Sequence, residues 1–324
     1  MKIRWGVLST ARIAKNCTIP GMLKAPSCEL YAIAGRNEEK VEAYKKEFGF
    51  EKGYVGYEKL LEDPLVNAVY IPLPNHLHYE WVIKALKAGK HVLCEKPLAL
   101  TEDEAREMFR TAKENNVILM EAYAYLHSEY IASLVKDLRS GIIGDIRYIE
   151  SAFVTQGYRE DVRLYKEMGG GAAYDLGCYC TTMFLTLIDS APKDVKAIAE
   201  FSDRGVDFQT AAIIRFENGV RASFDVGMIL GDDSNARFDR LYINGTRGYI
   251  KSDVEYNQEG TLKYTICSDG RIIERSVDTT HNYALEAENL SRSILGEETP
   301  HITEEFSLKN ANLLDRILKE IGYR

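Results

Sequence analysis

The sequence predicts an α/β protein with two domains: an N-terminal parallel sheet, followed by an α+β domain that carries an open, mostly antiparallel sheet. In the first third of the chain, short apolar runs alternate with helical stretches of about 10–15 residues, which is typical of parallel β-α-β units. Later apolar runs are separated by turn dipeptides such as Asn218-Gly219 and Asp269-Gly270, which favour hairpins. The 324 residues leave room for two domains, which we place at 1–121 and 122–324.

Five strands and four helices are predicted in the first domain. The strands cover residues 3–8, 30–34, 68–71, 91–94 and 117–120, and the helices cover 11–23, 38–48, 79–88 and 101–115. Thr101-Glu102-Asp103-Glu104 matches a capping box, in which side chains satisfy the free amides at a helix start. Because crossovers between parallel strands are right-handed, this order predicts a doubly wound sheet that is buried on both faces.

The second domain is predicted to mix helices with a longer series of strands. Helices cover 128–138, a stretch from the turn Gly169-Gly170-Gly171 to residue 188, 283–295 and 304–321. Strands cover 146–154, 195–201, 210–216, 221–226, 240–244, 248–250 and 263–267. Because most of these strands follow one another without a helix between them, their sheet is expected to be antiparallel.

Composition and charge exclude several classes of partner. A formal net charge of −8 argues against nucleic acid, because phosphate binding requires a basic face. The apolar stretches are shorter than the ~18–20 residues of a membrane span, and the chain opens on a predicted strand instead of a signal peptide. The six cysteines show no disulfide-framework spacing. We therefore expect a cytoplasmic protein that acts on a small molecule.

The turn after the first predicted strand indicates a dinucleotide site. Its residues are Ser9, Thr10, Ala11, Arg12 and Ile13, at the junction where glycines usually let the backbone approach a pyrophosphate. Laid on G-x-G-x-x-G/A, the three key positions are Ser9, Ala11 and Ala14, which are small but not glycine, so an ordinary tight turn is an equal alternative.

The end of the second predicted strand bears on the choice of cofactor. Arg36 follows Ala34-Gly35, and no acid lies where NAD-binding proteins usually hold the ribose 2′-hydroxyl. A guanidinium suits a 2′-phosphate, so the sequence favours NADP, with NAD as an alternative. The alternative is that Arg36 lies in a surface loop and contacts no cofactor.

Glu95-Lys96-Pro97 is the most informative segment. The strand before it delivers these residues to the carboxyl edge of a parallel sheet, where such folds bind ligands. A lysine that precedes proline is held in an extended or cis geometry. Lys96 is therefore a candidate acid or electrostatic anchor, although most lysines are merely solvated.

A glycine-rich turn opens the main helix of the second domain. Three consecutive glycines, Gly169 to Gly171, indicate that the backbone here closely approaches another group, for example the nicotinamide or the substrate. Asp175 and Tyr179 are four residues apart and share a helix face, so they form a candidate proton-transfer pair. The alternative is a core tyrosine and an aspartate that is favoured by the helix dipole.

Two further pairs resemble metal ligands and are discounted. His76 and His78 have no evident third ligand, and Cys178 and Cys180 on a helix point their thiols to different sides, so no metal is expected. His76, after Pro74-Asn75, is instead expected to cap a helix or line the cofactor cleft.

Together these segments resemble the Gfo/Idh/MocA oxidoreductase family over essentially the whole chain. The matching segments are 5–14, 34–36, 74–76, 88–97 and 169–179, of which Glu95-Lys96-Pro97 is the most specific. The resemblance implies a Rossmann domain, followed by a domain whose open sheet commonly forms the oligomer interface. A homodimer or homotetramer through the C-terminal sheet is therefore expected.

The resemblance also implies residue roles. Lys96 matches the family's catalytic lysine, and Asp175 matches its acid. Tyr179 lies where inositol-dehydrogenase-like members of the family have a histidine. A tyrosine at this position resembles the subgroup of glucose-fructose oxidoreductase, 1,5-anhydrofructose reductase and dimeric dihydrodiol dehydrogenase. Asp161-Val162-Arg163 resembles that subgroup's substrate-side segment, with Arg163 as a ligand. Ser9 and Ala11 depart from the family's glycines.

The resulting expectation is an NAD(P)-dependent oxidoreductase. It would transfer a hydride between nicotinamide and a carbonyl or secondary alcohol of a sugar-like or dihydrodiol-like substrate. Catalytic roles fall to Lys96, Asp175 and Tyr179. Cofactor contacts are expected from Ser9, Thr10, Ala11, Arg12, Ile13, Arg36, Pro74, Asn75, His76 and Glu95, and substrate contacts from Lys96, Tyr123, Arg163, Tyr179 and His281. The alternative is a non-catalytic protein of the same fold that senses NADP(H) or a sugar.

Overall fold

The computed structural model describes residues 1–157, 160–231, 237–253 and 256–324. The chain forms two compact units, each made of two segments. The first unit comprises Met1–His127 with Thr280–Leu308, and the second comprises Ser128–Thr279 with Lys309–Arg324.

The first unit is built on a six-stranded parallel sheet. Its elements are β1 (Ile3–Leu8), α1 (Ile19–Lys24), β2 (Cys28–Gly35), α2 (Glu38–Phe48), β3 (Lys52–Val55), α3 (Tyr57–Glu62), β4 (Ala68–Ile71), α4 (Asn75–Lys87), β5 (His91–Glu95), α5 (Glu102–Glu114) and β6 (Leu119–Ala122). The strand order is β3-β2-β1-β4-β5-β6, with every pair parallel. The order reverses between β1 and β4, which confirms the predicted Rossmann sheet and creates a ligand-binding crevice beyond the carboxyl ends.

Two elements of this unit were missed by the sequence prediction. β3 lies at the edge of the sheet and has no buried residue among its four, so it shows no apolar run. α3 has only six residues, which is too short for a helical period to stand out. The predicted helix start at Tyr79 was also wrong, because α4 begins at Asn75, directly after Pro74.

The second unit is built on an eight-stranded, mostly antiparallel sheet, as predicted. Its elements are α6 (Glu129–Arg139), β7 (Ile146–Gln156), α7 (Cys178–Leu187), β8 (Pro192–Phe201), β9 (Asp207–Phe216), β10 (Arg221–Leu230), β11 (Arg237–Gly245), β12 (Gly248–Ser252), β13 (Gly260–Ser268) and β14 (Arg271–Thr279). The strand order is β14-β13-β12-β11-β7-β10-β9-β8, in which only β7 and β10 are parallel. β14 was not predicted, because most of its residues are polar and this edge strand is largely exposed.

Helices α6 and α7 pack on the second sheet, and the opposite face is largely exposed in the described parts of β8, β9 and β14; it is called the open face below. The open face exposes large apolar side chains, including Ile198 on β8, Ile213 on β9 and Ile272 on β14. Ile198 and Ile213 are 76% and 60% exposed, although both lie within regular strands. The apolar sheet face is defined here by Ile198 and Ile213, on the neighbouring strands β8 and β9.

Helix α8 (Asn282–Ile294) belongs to the first unit, although it follows β14 in sequence. Trp5 Nε1 donates to Ser291 Oγ at 3.0 Å, and the backbone and hydroxyl of Ser27 both donate to Glu288 at 2.8 Å. Gly21 lies so close to this helix that a Cβ there would be 2.7 Å from the backbone of Tyr283. The last helix, α9 (Glu304–Glu320), contains the division at Leu308. None of the helices in the described ranges is long and apolar enough to cross a membrane.

Candidate functional site

The predicted cofactor residues of the first unit follow the carboxyl ends of four strands. Ser9, Thr10, Ala11, Arg12 and Ile13 follow β1, Arg36 follows β2, Pro74, Asn75 and His76 follow β4, and Glu95 ends β5. Because the carboxyl ends of parallel strands lie at one edge, the sheet brings these residues to the edge where the strand order reverses.

The turn after β1 leads into an unusual helix start. The first helical residues form a π turn, Ala14–Thr18, before α1 begins. The turn is held against α2, since the Tyr44 hydroxyl donates to the Thr10 carbonyl at 3.1 Å. A Cβ on Gly35 would lie 2.8 Å from Val41 and 3.3 Å from Thr10, so this junction needs glycine at Gly35.

The groups at the end of β2 fit a phosphorylated dinucleotide. Arg36 is exposed directly after Gly35. Asn37 caps α2 by accepting a hydrogen bond from the Lys40 amide at 2.9 Å, so the acids of this junction begin only at Glu38, inside the helix. The exposed guanidinium of Arg36, with no carboxylate at the strand end, suits a 2′-phosphate better than an unmodified ribose hydroxyl.

Lys96 is half-buried in the turn after β5, and its peptide bond to Pro97 is cis, one of the two predicted geometries. Its amide donates to Glu95 Oε2 at 3.3 Å. The other oxygen of Glu95 accepts a 2.5 Å hydrogen bond from Tyr70, which in turn accepts one from Thr18 at 2.9 Å. Burial and the neighbouring Glu95 raise the pKa of Tyr70 well above its ordinary value, so this hydroxyl stays a donor and holds Glu95 in place.

Two buried polar side chains beside Lys96 were missed as functional candidates. His78 is fully buried, with Nδ1 2.9 Å from the Pro97 carbonyl and Nε2 2.8 Å from the Leu73 carbonyl. Glu121 on β6 is 2% exposed and accepts a 2.8 Å hydrogen bond from the Leu98 amide. The available signal for Glu121 was a carboxylate between Met120 and Ala122 in an otherwise apolar run.

His78 therefore has a backbone-binding role, and the sequence had considered it only as half of a metal-ligand pair. Burial lowers its pKa, which favours the neutral ring. Over the part of the chain that the structure describes, no group of three or more His, Cys, Asp or Glu side chains is placed to hold a metal ion. His76 lies in the first turn of α4, where Pro74 is the N-cap residue.

In the second unit, Arg163 joins the predicted catalytic residue Asp175 to Asp161 of the predicted substrate-side segment. Its Nε donates to Asp175 Oδ2 at 2.6 Å, and its Nη1 donates to Asp161 Oδ1 at 2.9 Å. The two carboxylates are only 13% and 10% exposed, whereas the guanidinium is 36% exposed. This arrangement fixes the Asp175 carboxylate and leaves a partly accessible arginine beside it.

The glycine-rich turn closes on the chain itself. The Gly171 amide donates to the Arg163 carbonyl at 2.9 Å, and a Cβ on Gly170 would collide with that carbonyl. At Gly171, where φ is +106°, a Cβ would collide with the Asp207 carboxylate. The predicted close approach of the backbone is confirmed at Gly170 and Gly171, where the backbone of Arg163 and the side chain of Asp207 fill the space that a Cβ would need. Contact of this turn with the nicotinamide or the substrate stays a prediction.

Asp207 also anchors the helix that carries the predicted pair. It accepts hydrogen bonds from the Ala173 amide at 2.7 Å and from Thr210 at 2.6 Å. Burial raises the pKa of Asp207 to about 6. The helix then opens with a π turn, Ala173–Gly177, instead of the predicted α turn. Single π turns are frequent at functional sites, and here one directly follows the turn Ser9–Ile13 and the other contains Asp175.

Tyr179 lies in an aromatic cluster of the second unit. Its ring centroid is 5.4 Å from that of Phe153 and 5.1 Å from that of Tyr256, and those two rings stack on each other at 5.3 Å. Phe153 and Tyr256 are buried, whereas Tyr179 is half-buried. The two rings therefore fix the orientation of Tyr179 and leave part of its side chain accessible.

The remaining predicted substrate residues both belong to the first unit. Tyr123 is fully buried, and its ring packs edge-on against Tyr125 at 6.3 Å. His281 is half-buried at the N-cap of α8, with its ring 5.9 Å from that of Tyr283. Their contact with substrate stays a prediction.

Two family models match this chain. Residues 3–123 match an oxidoreductase family with an NAD-binding Rossmann fold, and residues 131–251 match the GFO/IDH/MocA C-terminal domain. Among similar proteins, D-xylose 1-dehydrogenase (NADP(+)) 2 of Haloferax volcanii is 30% identical over 97% of this chain and 95% of its own length. Trans-1,2-dihydrobenzene-1,2-diol dehydrogenase of Xenopus laevis is 30% identical over 99% of both chains.

A solved structure gives the same result. KijD10, a 3-ketoreductase from Actinomadura kijaniata in complex with NADP and TDP-benzene, superimposes with a TM-score of 0.92. It is 29% identical in sequence, and the match covers 99% of this chain and 98% of that one.

Proposed function

The chain belongs to the GFO/IDH/MocA oxidoreductase family, and from this premise we propose that it transfers a hydride between NADP and a carbonyl or secondary alcohol of a sugar-like or dihydrodiol-like substrate. The observation that carries the proposal is the turn Glu95-Lys96-Pro97, which lies at the carboxyl edge of the parallel sheet with the predicted cofactor residues. The assignment of cofactor binding to residues 1–121, and of substrate binding and oligomerisation to 122–324, is part of this proposal.

NADP supplies the nicotinamide that gives or accepts the hydride, and the chain supplies placement and charge. The helix start after Ser9–Ile13 offers backbone amides to the pyrophosphate. Arg36 binds the 2′-phosphate, and Glu95, held by Tyr70, offers a fixed carboxylate oxygen at the sheet edge. The choice of NADP is supported by two similar proteins, an NADP(+) D-xylose 1-dehydrogenase and the 3-ketoreductase KijD10 in complex with NADP.

Three side chains are assigned to the chemistry. Lys96 donates a hydrogen bond to the substrate oxygen and stabilises the negative charge that develops there. Tyr179 exchanges a proton with that oxygen. Asp175 orients the reacting groups, and its own fixed position, held by Arg163, supports this role. The family resemblance assigns Lys96 and Asp175, and the accessibility of Tyr179 in its aromatic cluster is consistent with proton exchange.

The charges near Asp175 favour a neutral polyhydroxylated substrate. Asp161 and Asp175 bring two carboxylates to the single guanidinium of Arg163, so this cluster is better suited to bind hydroxyl groups than a substrate carboxylate or phosphate. Sugars and cyclic diols have such hydroxyl groups. A sugar acid is expected to be a poorer substrate than the corresponding neutral sugar.

We propose in addition that the protein is a homo-oligomer that assembles through the apolar sheet face. Ile198 and Ile213 are exposed on the neighbouring strands β8 and β9, and an adjacent pair of exposed isoleucines supports a packed interface on this face. The six cysteines are all free thiols, which supports a reducing, cytoplasmic location.

The proposed function is tested with Lys96→Met and, as its control, with the exposed Lys87→Met. NADPH and NADH are titrated against each variant, and turnover is measured with NADP and either D-xylose or trans-1,2-dihydrobenzene-1,2-diol. Lys96→Met should bind NADPH within about twofold of the parent and lose most of its turnover, because its role is confined to the reacting oxygen. Full activity of Lys96→Met would contradict the role of Lys96. If the parent binds neither nucleotide, the hydride-transfer proposal fails.

A further inference from the structure

The peptide bond between Pro97 and Leu98 is held at both ends by buried side chains. Its carbonyl faces Nδ1 of His78 at 2.9 Å, and its amide donates to Oε1 of Glu121 at 2.8 Å. His78 is fully buried and Glu121 is 2% exposed, so water does not compete for either contact. The Pro97–Leu98 peptide, which begins one residue after Lys96, is thus fixed by polar side chains from α4 and β6.

The same contacts link this peptide to the preceding strand connection. Nε2 of His78 lies 2.8 Å from the carbonyl of Leu73, in the loop between β4 and α4. A carbonyl only accepts hydrogen bonds, so a neutral imidazole with one N–H donates to one of its two carbonyl neighbours at a time. Glu121 has no such competition, because the Leu98 amide is a donor and a carboxylate oxygen is an acceptor. The hydrogen bond from the Leu98 amide to Glu121 is therefore more persistent than the contact between His78 and the Pro97 carbonyl.

Lys96 is two residues from the amide that Glu121 holds. Pro97, between them, has a fixed φ, so the backbone offers few ways to move Lys96 while Leu98 stays in place. The charge of Lys96 also acts on Glu121: burial raises the pKa of this carboxyl to about 7, and hydrogen bonding by Ser307, the Leu98 amide and Tyr123, together with the Lys96 ammonium, opposes that rise. The two side chains are thus coupled both through the backbone and through space.

We propose that Glu121 is a positioning residue for Lys96, which holds the Leu98 amide and thereby fixes the backbone from which the lysine side chain extends. This inference rests on the proposed function, since it gives a purpose to Glu121 only if Lys96 acts on the substrate. A carboxylate buried as deeply as Glu121 is costly for the fold, and a role in catalysis accounts for that cost.

Two substitutions separate the hydrogen bond from the charge. In Glu121→Gln, the side-chain carbonyl still accepts from Leu98, whereas in Glu121→Leu no acceptor remains. Lys90→Met is the matched control, because Lys90 is also buried, donates to the carbonyls of Asp63 and Val66, and precedes β5 at the opposite edge of the sheet. All three variants lose a buried ionisable group, and only Glu121→Leu releases the Leu98 amide.

The first readout is hydrogen–deuterium exchange at Leu98, which requires no substrate. Faster exchange at Leu98 in Glu121→Leu, with parent-like exchange in Glu121→Gln and Lys90→Met, is the expected result. Unchanged exchange at Leu98 in Glu121→Leu would overturn the proposal, because the amide would then not depend on this side chain.

The second readout is turnover with NADP and D-xylose, or the diol used above. Glu121→Leu should lower kcat at least about 30-fold with the KM for NADP within about twofold, whereas Glu121→Gln should stay within about threefold of the parent. A loss no greater than that of Lys90→Met, at equal thermal stability, would overturn the positioning role. If Lys96→Met is fully active, the proposed function of Lys96 fails, whereas an inactive Lys96→Met beside a fully active Glu121→Leu refutes the positioning role alone.

Discussion

Arg163 and Asp175 are joined through both side chain and backbone. The guanidinium Nε of Arg163 donates to Asp175 at 2.6 Å, and the Arg163 carbonyl accepts from the Gly171 amide at 2.9 Å. The carbonyl of Gly171 accepts in turn from the Asp175 amide at 3.0 Å. The position of Asp175 is therefore set by a closed loop of hydrogen bonds that starts and ends at Arg163.

This relationship predicts the effect of removing the guanidinium. Arg163→Met should lower kcat/KM by about 10–100-fold, since each charge-assisted hydrogen bond is worth roughly 1.5–3 kcal/mol. Arg163→Lys should not restore activity, because an ammonium lacks the planar fork that serves two carboxylates at once.

The control is Arg204→Met, which breaks the exposed ion pair with Glu160 in the same unit. It should leave kcat/KM within about twofold of the parent. Arg163→Met combined with Asp175→Asn should be less damaging than the sum of the two single losses, and strict additivity would show that the pair does not act as a unit.

Gly171→Ala is expected to destabilise the second unit. The new Cβ would collide with Asp207, and φ at this position is +106°. We expect a loss of about 2–4 kcal/mol in the free energy of unfolding. Gly219→Ala separates the two causes, because φ is +84° there with no atom near the new Cβ, and it should cost only about 1 kcal/mol. Chemical denaturation measures both, and equal losses would rule out the collision with Asp207.

The buried Glu121 predicts a dependence of stability on pH. Burial raises its pKa from its ordinary value to about 7, so the folded state favours the protonated form. This contribution to stability is complete below about pH 4.5 and is lost as the pH rises to 7 and beyond. Glu121→Gln cannot ionise and should gain up to about 3 kcal/mol relative to the parent between pH 5 and pH 8.

Denaturation of both proteins at pH 5 and pH 8 measures that difference. The exposed Glu114→Gln is the control and should show no comparable change between the two pH values. A stability difference between Glu121→Gln and the parent that is the same at both pH values would show that Glu121 ionises normally in the folded chain.

Arg36 predicts cofactor preference. Arg36→Ala should weaken NADPH binding about 10–100-fold and leave NADH binding nearly unchanged, because only NADPH carries the 2′-phosphate. Fluorescence titration measures both affinities, and Lys46→Ala, at the far end of α2, is the control for a general loss of positive charge. Equal weakening for both nucleotides would mean that Arg36 does not recognise the phosphate.

The apolar sheet face predicts the effect of a buried charge on assembly. Ile213→Glu should reduce the mass in solution to that of a single chain, because an unpaired carboxylate at a packed interface is costly. Light scattering after size-exclusion chromatography measures this mass. Leu65→Glu introduces the same charge at an exposed residue of the first unit and should leave the mass unchanged. An oligomer that survives Ile213→Glu would place the interface elsewhere.

The sequence by itself determined the fold class and the order of the elements that place the cofactor. Alternating apolar and helical stretches specify parallel β-α-β units, and the residues after each strand must then lie at one edge of the sheet. Arg36 and Lys96 could be selected for this reason, since their positions follow from local order along the chain. Helix α2 and strand β4 were even predicted with their observed bounds.

Only the tertiary structure decided which groups the site residues contact. The edge strands β3 and β14 carry too few buried residues to show an apolar pattern. The partners of the glycine turn, Arg163 and Asp207, are separated by 44 positions along the chain, and Glu121 reaches Leu98 across 23. Periodicity indicates which face of a helix or strand is buried, but it does not indicate which distant residue packs against that face. That pairing is set by how the elements pack in three dimensions, and the local sequence of one element does not encode its partner.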